Sequence, residues 1–201
     1  MKTIFGISLA VFGSALAAMA VEPSAALFEN DQVKVTRALE KAHVKGGFHE
    51  HKMNRVMVYL QSGRQRFEYQ DSRKPAVFDW KVGQVVWSPP EGMHSPEVTG
   101  DDPFNIIEVE LKKPGSGKTL APIGDTRHSK VELENDQVRI VRVRLTPGES
   151  TSIANAGNSV AIFLSDTANH KMGEAVWEAA PVVRADNPGE KPFEMVMVEL
   201  K

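Results

Sequence analysis

The chain has 201 residues, of which 41% are hydrophobic and 25% charged, an ordinary balance for a globular protein that excludes wholesale disorder, collagen and a coiled coil. Twenty-four Lys and Arg against 26 Asp and Glu leave a formal charge of -2, so no electrostatic footprint for nucleic acid is present. With no cysteine, disulfides, thiolate metal sites, iron–sulfur clusters and cysteine nucleophiles are excluded, and any metal must be held by His, Asp, Glu or, more weakly, Met.

Residues 1–20 read as an export signal. Lys2 gives a short positive start, and Ile4 to Ala18 is apolar but short for a membrane span, which needs about 20 residues. Ala18-Met19-Ala20 forms a small-x-small cleavage site. No later segment is long and apolar enough to span a bilayer, and no Cys follows for lipidation. The expectation is an exported protein, periplasmic in a cell with an outer membrane and secreted otherwise.

The remainder contains itself twice. ENDQVKV at 29–35 returns as ENDQVRI at 134–140, GQVVW at 83–87 as GEAVW at 173–177, and PFNIIEVELK at 103–112 as PFEMVMVELK at 192–201. Three matched blocks in one order indicate a duplicated unit of about 85 residues, the size of one small β domain. The expected organisation is a first barrel over 21–112, a linker over 113–130 (rich in Gly, Pro and Lys) and a second barrel over 131–201. Within the first unit, Val33–Arg37, Arg55–Leu60, Arg64–Tyr69, Val85–Trp87 and Ile106–Leu111 are strand-like runs divided by Gly, Pro, Asn and Asp. Gln61-Ser62-Gly63 is a candidate hairpin turn with Gly supplying positive φ. Many short strands and weak helical periodicity predict an all-β protein of two tandem barrels or sandwiches.

Two of the six histidines, His49 and His51, stand two apart. On a strand such residues share a face, so both imidazoles can reach one point. His94 follows a strand-like run and a tight turn built on Pro89, Pro90 and Gly92, which could return the chain to the same place. Three such imidazoles can occupy facial positions on one ion and leave positions open for water or substrate. A surface histidine pair, or histidines hydrogen-bonded as structure, is the plainer alternative.

These residues carry a resemblance. GFHEHKMNRVMVYLQSG (47–63) resembles the first motif of the cupin superfamily, and GQVVWSPPEGMH (83–94) the second, with Pro90, Gly92 and His94 matching in order and spacing. The resemblance implies two tandem double-stranded β-helix barrels, a bicupin. It further implies one divalent transition metal (Fe, Zn, Mn, Ni or Cu) on His49, His51 and His94. One departure stands out. Where the superfamily's first motif carries a Glu as fourth ligand, this chain has Arg55, so the expected set is three histidines, similar to a branch that includes some dioxygenases. Arg55 is expected on the outside of its strand, or else paired with an anionic substrate. Glu50 should face away from the site.

The second unit lacks the ligands, with PGESTSIANAGNS at 147–159 in place of the histidine pair and Arg184 near the place of His94. It is expected to be metal-free and structural, with anion binding through Arg184 as the alternative. Met53, Met57 and Met93 would favour copper if they faced the site, and serve as barrel filling otherwise. Trp87 and Trp177, repeated without repeated ligands, argue for packing. The functional expectation is a metal-dependent bicupin acting on a small molecule, a carboxylate among the candidates. The reaction is open between dioxygenase, isomerase, lyase and decarboxylase, and the fold does not choose among them. Glu97, Tyr59 and Arg55 are the weak catalytic candidates. A non-catalytic binding protein and a structural barrel with a vestigial site are the alternatives. The partners expected are a small-molecule ligand, no nucleic acid and no membrane span; an exposed sheet edge could support a homodimer.

Overall fold

A computed structural model describes residues 25–154, 158–179 and 181–201; the expected export signal at 1–20 lies outside them. The described residues form sixteen strands and no α-helix. The first half contains β1 (Ala25–Glu29), β2 (Val33–Glu40), β3 (His49–His51), β4 (Arg55–Tyr59), β5 (Gly63–Tyr69), β6 (Ala76–Trp80), β7 (Val85–Ser88), β8 (Glu91–Val98) and β9 (Phe104–Leu111). The second contains β10 (Ser129–Glu134), β11 (Val138–Leu145), β12 (Ser150–Ala154), β13 (Ser159–Phe163), β14 (Ala175–Glu178), β15 (Val182–Asp186) and β16 (Phe193–Leu200).

Each half is two antiparallel sheets. In the first, a sheet ordered β1-β2-β9-β4-β7 faces one ordered β3-β8-β5-β6. In the second, β10-β11-β16-β13-β14 faces the pair β12-β15. The register repeats as well: Val56 opposes Val109 in the first half as Val160 opposes Val198 in the second. The expected strands are present, mostly longer by one to three residues.

Gln61-Ser62-Gly63 is a correction. β4 and β5 belong to different sheets, so the segment is a corner and not a hairpin. Gly63 lacks a positive φ. Its lack of a side chain serves packing instead, because a Cβ there would lie 2.8 Å from Cζ of buried Phe104. The turn before His94 is also shorter than expected, since β8 already starts at Glu91.

The five-stranded sheets of the two halves pack face to face. Val33, Val35, Val56, Val58, Ile107 and Val109 of the first meet Val138, Ile140, Val160, Ile162, Val196 and Val198 of the second in one buried cluster. β-Branched side chains suit this pleated surface, and each fully buried Val or Ile contributes about 1.5–3 kcal/mol. Trp87 and Trp177 pack against the same cluster, the packing role their repetition suggested. The contact is pseudo-symmetric down to single residues. Gly83 and Gly173 both take positive φ, 74° and 82°. Gly83 abuts Arg142 and Leu164 of the second half, while Gly173 abuts Arg37 and Leu60 of the first.

The opposite faces of these sheets line the two barrels, and the linings differ. The second barrel is filled by Val141, Val143, Leu145, Ile153, Phe163, Val183, Phe193, Met195 and Met197. In the first, Met57, Tyr59, Val98, Phe104 and Ile106 fill part of the interior, and buried Arg55, Gln65 and His94 share it.

Candidate metal centre

Two strands build the site. β3 is only three residues long and presents His49 and His51, whose rings sit edge to face with centroids 4.9 Å apart. β8 pairs with β3, placing His94 directly opposite His49. The His94 ring centroid lies 4.7 Å from that of His49 and 5.3 Å from that of His51. One nitrogen from each residue falls within 4.8 Å of the others. His49 is exposed, His51 half-buried and His94 only 2% exposed, so the trio runs from the barrel mouth inward.

Hydrogen bonds set the tautomers of two rings. Nδ1 of His49 donates to the Gly47 carbonyl at 2.9 Å, and Nδ1 of His94 donates to the Gly92 carbonyl at 2.8 Å. Each leaves Nε2 with a free lone pair, the arrangement that metal-ligating histidines commonly show. Burial, Arg55 and the neighbouring rings hold His51 down to about 3, and burial also lowers His94. Both are therefore neutral ligand donors at neutral pH.

Arg55 is a correction to the outward orientation expected of it. It is 3% exposed and points into the barrel, in the same face series as Met57 and Tyr59. One of its terminal nitrogens donates to His51 Nε2 at 2.8 Å and to Glu108 at 3.1 Å, and the other to Ser88 Oγ at 3.1 Å. Its Nε is buried without a hydrogen-bond partner. Glu108 lies on β9; burial pushes its carboxyl up, and the Arg55 charge opposes that. Further inside, Glu40 accepts from Gln65, which in turn accepts from the Trp80 indole at 2.8 Å. Burial raises Glu40 to about 7. Sequence reasoning missed Glu40 and Glu108; the signal available for Glu108 was its place in one face series with apolar Phe104 and Ile106 of β9.

The other candidates separate by position. Tyr59 is 1% exposed and stacks on Trp80 at 4.4 Å, with burial raising its hydroxyl pKa further from use at neutral pH. Glu97 lies on the face of β8 opposite His94 and pairs with Arg66 at 3.6 Å, away from the trio. Glu50 pairs with Lys52 at the surface, pointing away as expected. Met57 belongs to the apolar filling. Phe67 lies 5.9 Å from the His94 ring and 5.7 Å from Phe78, which is 41% exposed, so an aromatic wall reaches from the site to the surface.

The second barrel has no counterpart among its described residues. Ser159 and Met197 occupy the register places of Arg55 and Glu108. Arg184 points to solvent and is held by Asp186 at 2.9 Å, which disfavours the anion site considered for it.

No family model matches the chain, and no curated protein matches it by sequence. Solved structures do. A cupin 2 conserved barrel domain protein from Leptotrichia buccalis aligns with TM-score 0.55 and 15% identity over 92% of each chain. AerE from Microcystis aeruginosa aligns with TM-score 0.60 and 10% identity over 89% of this chain and 97% of that one. The oxalate decarboxylase of Lactobacillus farciminis, in a formate complex, aligns with TM-score 0.56 and 12% identity over 86% and 77%. At these identities the likeness concerns the fold. The chain thus has the cupin fold in duplicated form, and its first barrel carries a three-histidine cluster consistent with a metal site.

Proposed function

We propose that this protein is an exported metal-binding bicupin that acts on a small carboxylate at a mononuclear centre held by His49, His51 and His94. The observation that supports it is the converging trio, with two Nε2 lone pairs freed by backbone hydrogen bonds. A divalent ion held there would polarise a carboxylate or carbonyl oxygen, and iron or copper would add redox chemistry with O₂. The chain itself supplies a buried cation, Arg55, to orient an anion, and the Phe67–Phe78 wall to exclude water from one side.

A non-catalytic binder is the second reading. It is favoured by the state of the interior carboxylates, since Glu108 is held by Arg55 and Glu40 by Gln65, leaving neither free as a base. The two readings part on one experiment. Protein loaded in turn with Fe, Zn, Mn, Ni and Cu is offered a panel of small carboxylic acids, and product formation and oxygen uptake are followed. Turnover that disappears in His94→Ala supports the enzyme; ligand binding without turnover supports the binder. Cell fractionation of the native protein tests the exported location.

A further inference from the structure

Arg55 makes the trio unequal. A guanidinium has five N–H donors and no acceptor, so the 2.8 Å contact to His51 can only be Arg55 donating to the Nε2 lone pair. A neutral imidazole has one lone pair and one N–H. With Nε2 accepting from Arg55, the proton of His51 is on Nδ1 and neither nitrogen is free for an ion. Ligation through Nε2 takes the lone pair from Arg55. Ligation through Nδ1 moves the proton to Nε2, where it faces the Arg55 donor. On either route the Arg55–His51 hydrogen bond breaks.

The released guanidinium then needs an acceptor. It is only 3% exposed, so water does not supply one freely. Glu108 and Ser88 already accept from it, and Nε is unpartnered before the change. Breaking the His51 bond would leave the N–H released by His51, together with the already unpartnered Nε–H, without an acceptor beside a newly arrived cation. A carboxylate meets both demands, since it accepts two N–H groups from Arg and offsets the added positive charge.

We propose that Arg55 couples metal binding to anion capture: it caps His51 until an ion arrives, and then turns to the carboxylate of the ligand. This rests on the three-histidine metal reading and deepens it, assigning Arg55, with Ser88 beside it, as a carboxylate subsite. The coupling is reciprocal, so the anion tightens the metal by the factor by which the metal tightens the anion.

The test uses the full-length protein, Zn²⁺ and acetate, with zinc affinity read by competition against a chromophoric chelator. In wild type, acetate is expected to tighten zinc by about fivefold or more, within the usual range of coupling between sites. Arg55→Met is expected to bind zinc tighter than wild type without acetate, because the His51 lone pair is free and one charge is gone, and to lose the acetate effect. Because Arg55→Met leaves Glu108 buried without its partner, the pair Arg55→Met/Glu108→Gln is measured beside it, with circular dichroism as the control for folding, and the same loss of acetate effect is expected. Zinc affinity in Arg55→Met equal to or weaker than wild type, or an acetate effect that persists in both variants, would overturn the coupling while leaving the metal centre standing. If neither wild type nor variants bind zinc, the metal reading itself fails and the coupling falls with it.

Discussion

Arg55 donates to His51 Nε2 across 2.8 Å inside the first barrel. The cation is compensated by Glu108 at 3.1 Å, with side-chain exposures of 4% and 14%. Removing one member of a buried pair strands the other, at a cost of about 3–5 kcal/mol. Glu108→Ala is therefore expected to destabilise by about 3 kcal/mol or more, and Arg55→Met/Glu108→Gln by less than the single change. Urea unfolding of wild type, Glu108→Ala and the double variant checks this; a double variant no more stable than Glu108→Ala would contradict the pairing.

Metal bound only by the folded chain stabilises it by mass action, about 2.7 kcal/mol at one hundred times Kd. For a domain of this size that corresponds to a rise in Tm of about 5–10 °C. A chelator should remove the rise, and His94→Ala should abolish it. A metal-dependent shift of equal size in His94→Ala would place the ion elsewhere.

The buried cluster between the five-stranded sheets draws on both halves, so they should unfold together. Differential scanning calorimetry is expected to show one transition. Gly173→Ala places a Cβ 2.6 Å from Leu60 Cδ1 on a backbone with φ of +82°, and should lower stability by about 1–3 kcal/mol while keeping one transition. Two resolved transitions would mean that the halves are independent.

A pH dependence arises in the second half. His128 Nδ1 lies 2.7 Å from Asp125 and its Nε2 3.2 Å from Glu149, so each ring nitrogen faces a carboxylate acceptor and the protonated ring is favoured. The hydrogen bond to Asp125, then that to Glu149, raises the His128 pKa. Bonding to His128 helps hold Asp125 at about 2; a Thr146 amide bond, then His128, holds Glu149 at about 2. A raised histidine stabilises fully below its unfolded value, about 6.5, and loses this as pH rises through the folded value. The lowered carboxylates stabilise above about 4 and lose this as pH falls towards 2. The difference in Tm between wild type and His128→Asn should therefore peak between about pH 4.5 and 6.5 and shrink by pH 9. A difference constant across that range would show that the ring is not charged.

Much of the fold was legible because the duplication, the β-branched runs and the Gly and Pro breaks agree with one another. The histidine pair was legible because period two on a strand is unambiguous. Arg55 was not, for a physical reason. Alternation normally sends apolar residues inward, but the five-stranded sheet is covered on both faces. Its apolar series, Val56, Val58, Ile107 and Val109, packs against the other half, and its mixed series, Arg55, Met57, Tyr59 and Glu108, lines the barrel. The break over Lys52–Asn54 also interrupts the count of faces between β3 and β4. The start of β8 was obscured by Pro89, Pro90 and Gly92, which read as a turn although β8 begins at Glu91 and pairs with both β3 and β5.

Metal content of the natively expressed protein tests the central claim most directly. About one transition-metal ion per chain in wild type, and none in His94→Ala of matched fold, is the predicted result. A folded wild type that carries no metal after growth with iron, zinc, manganese, nickel and copper would contradict it.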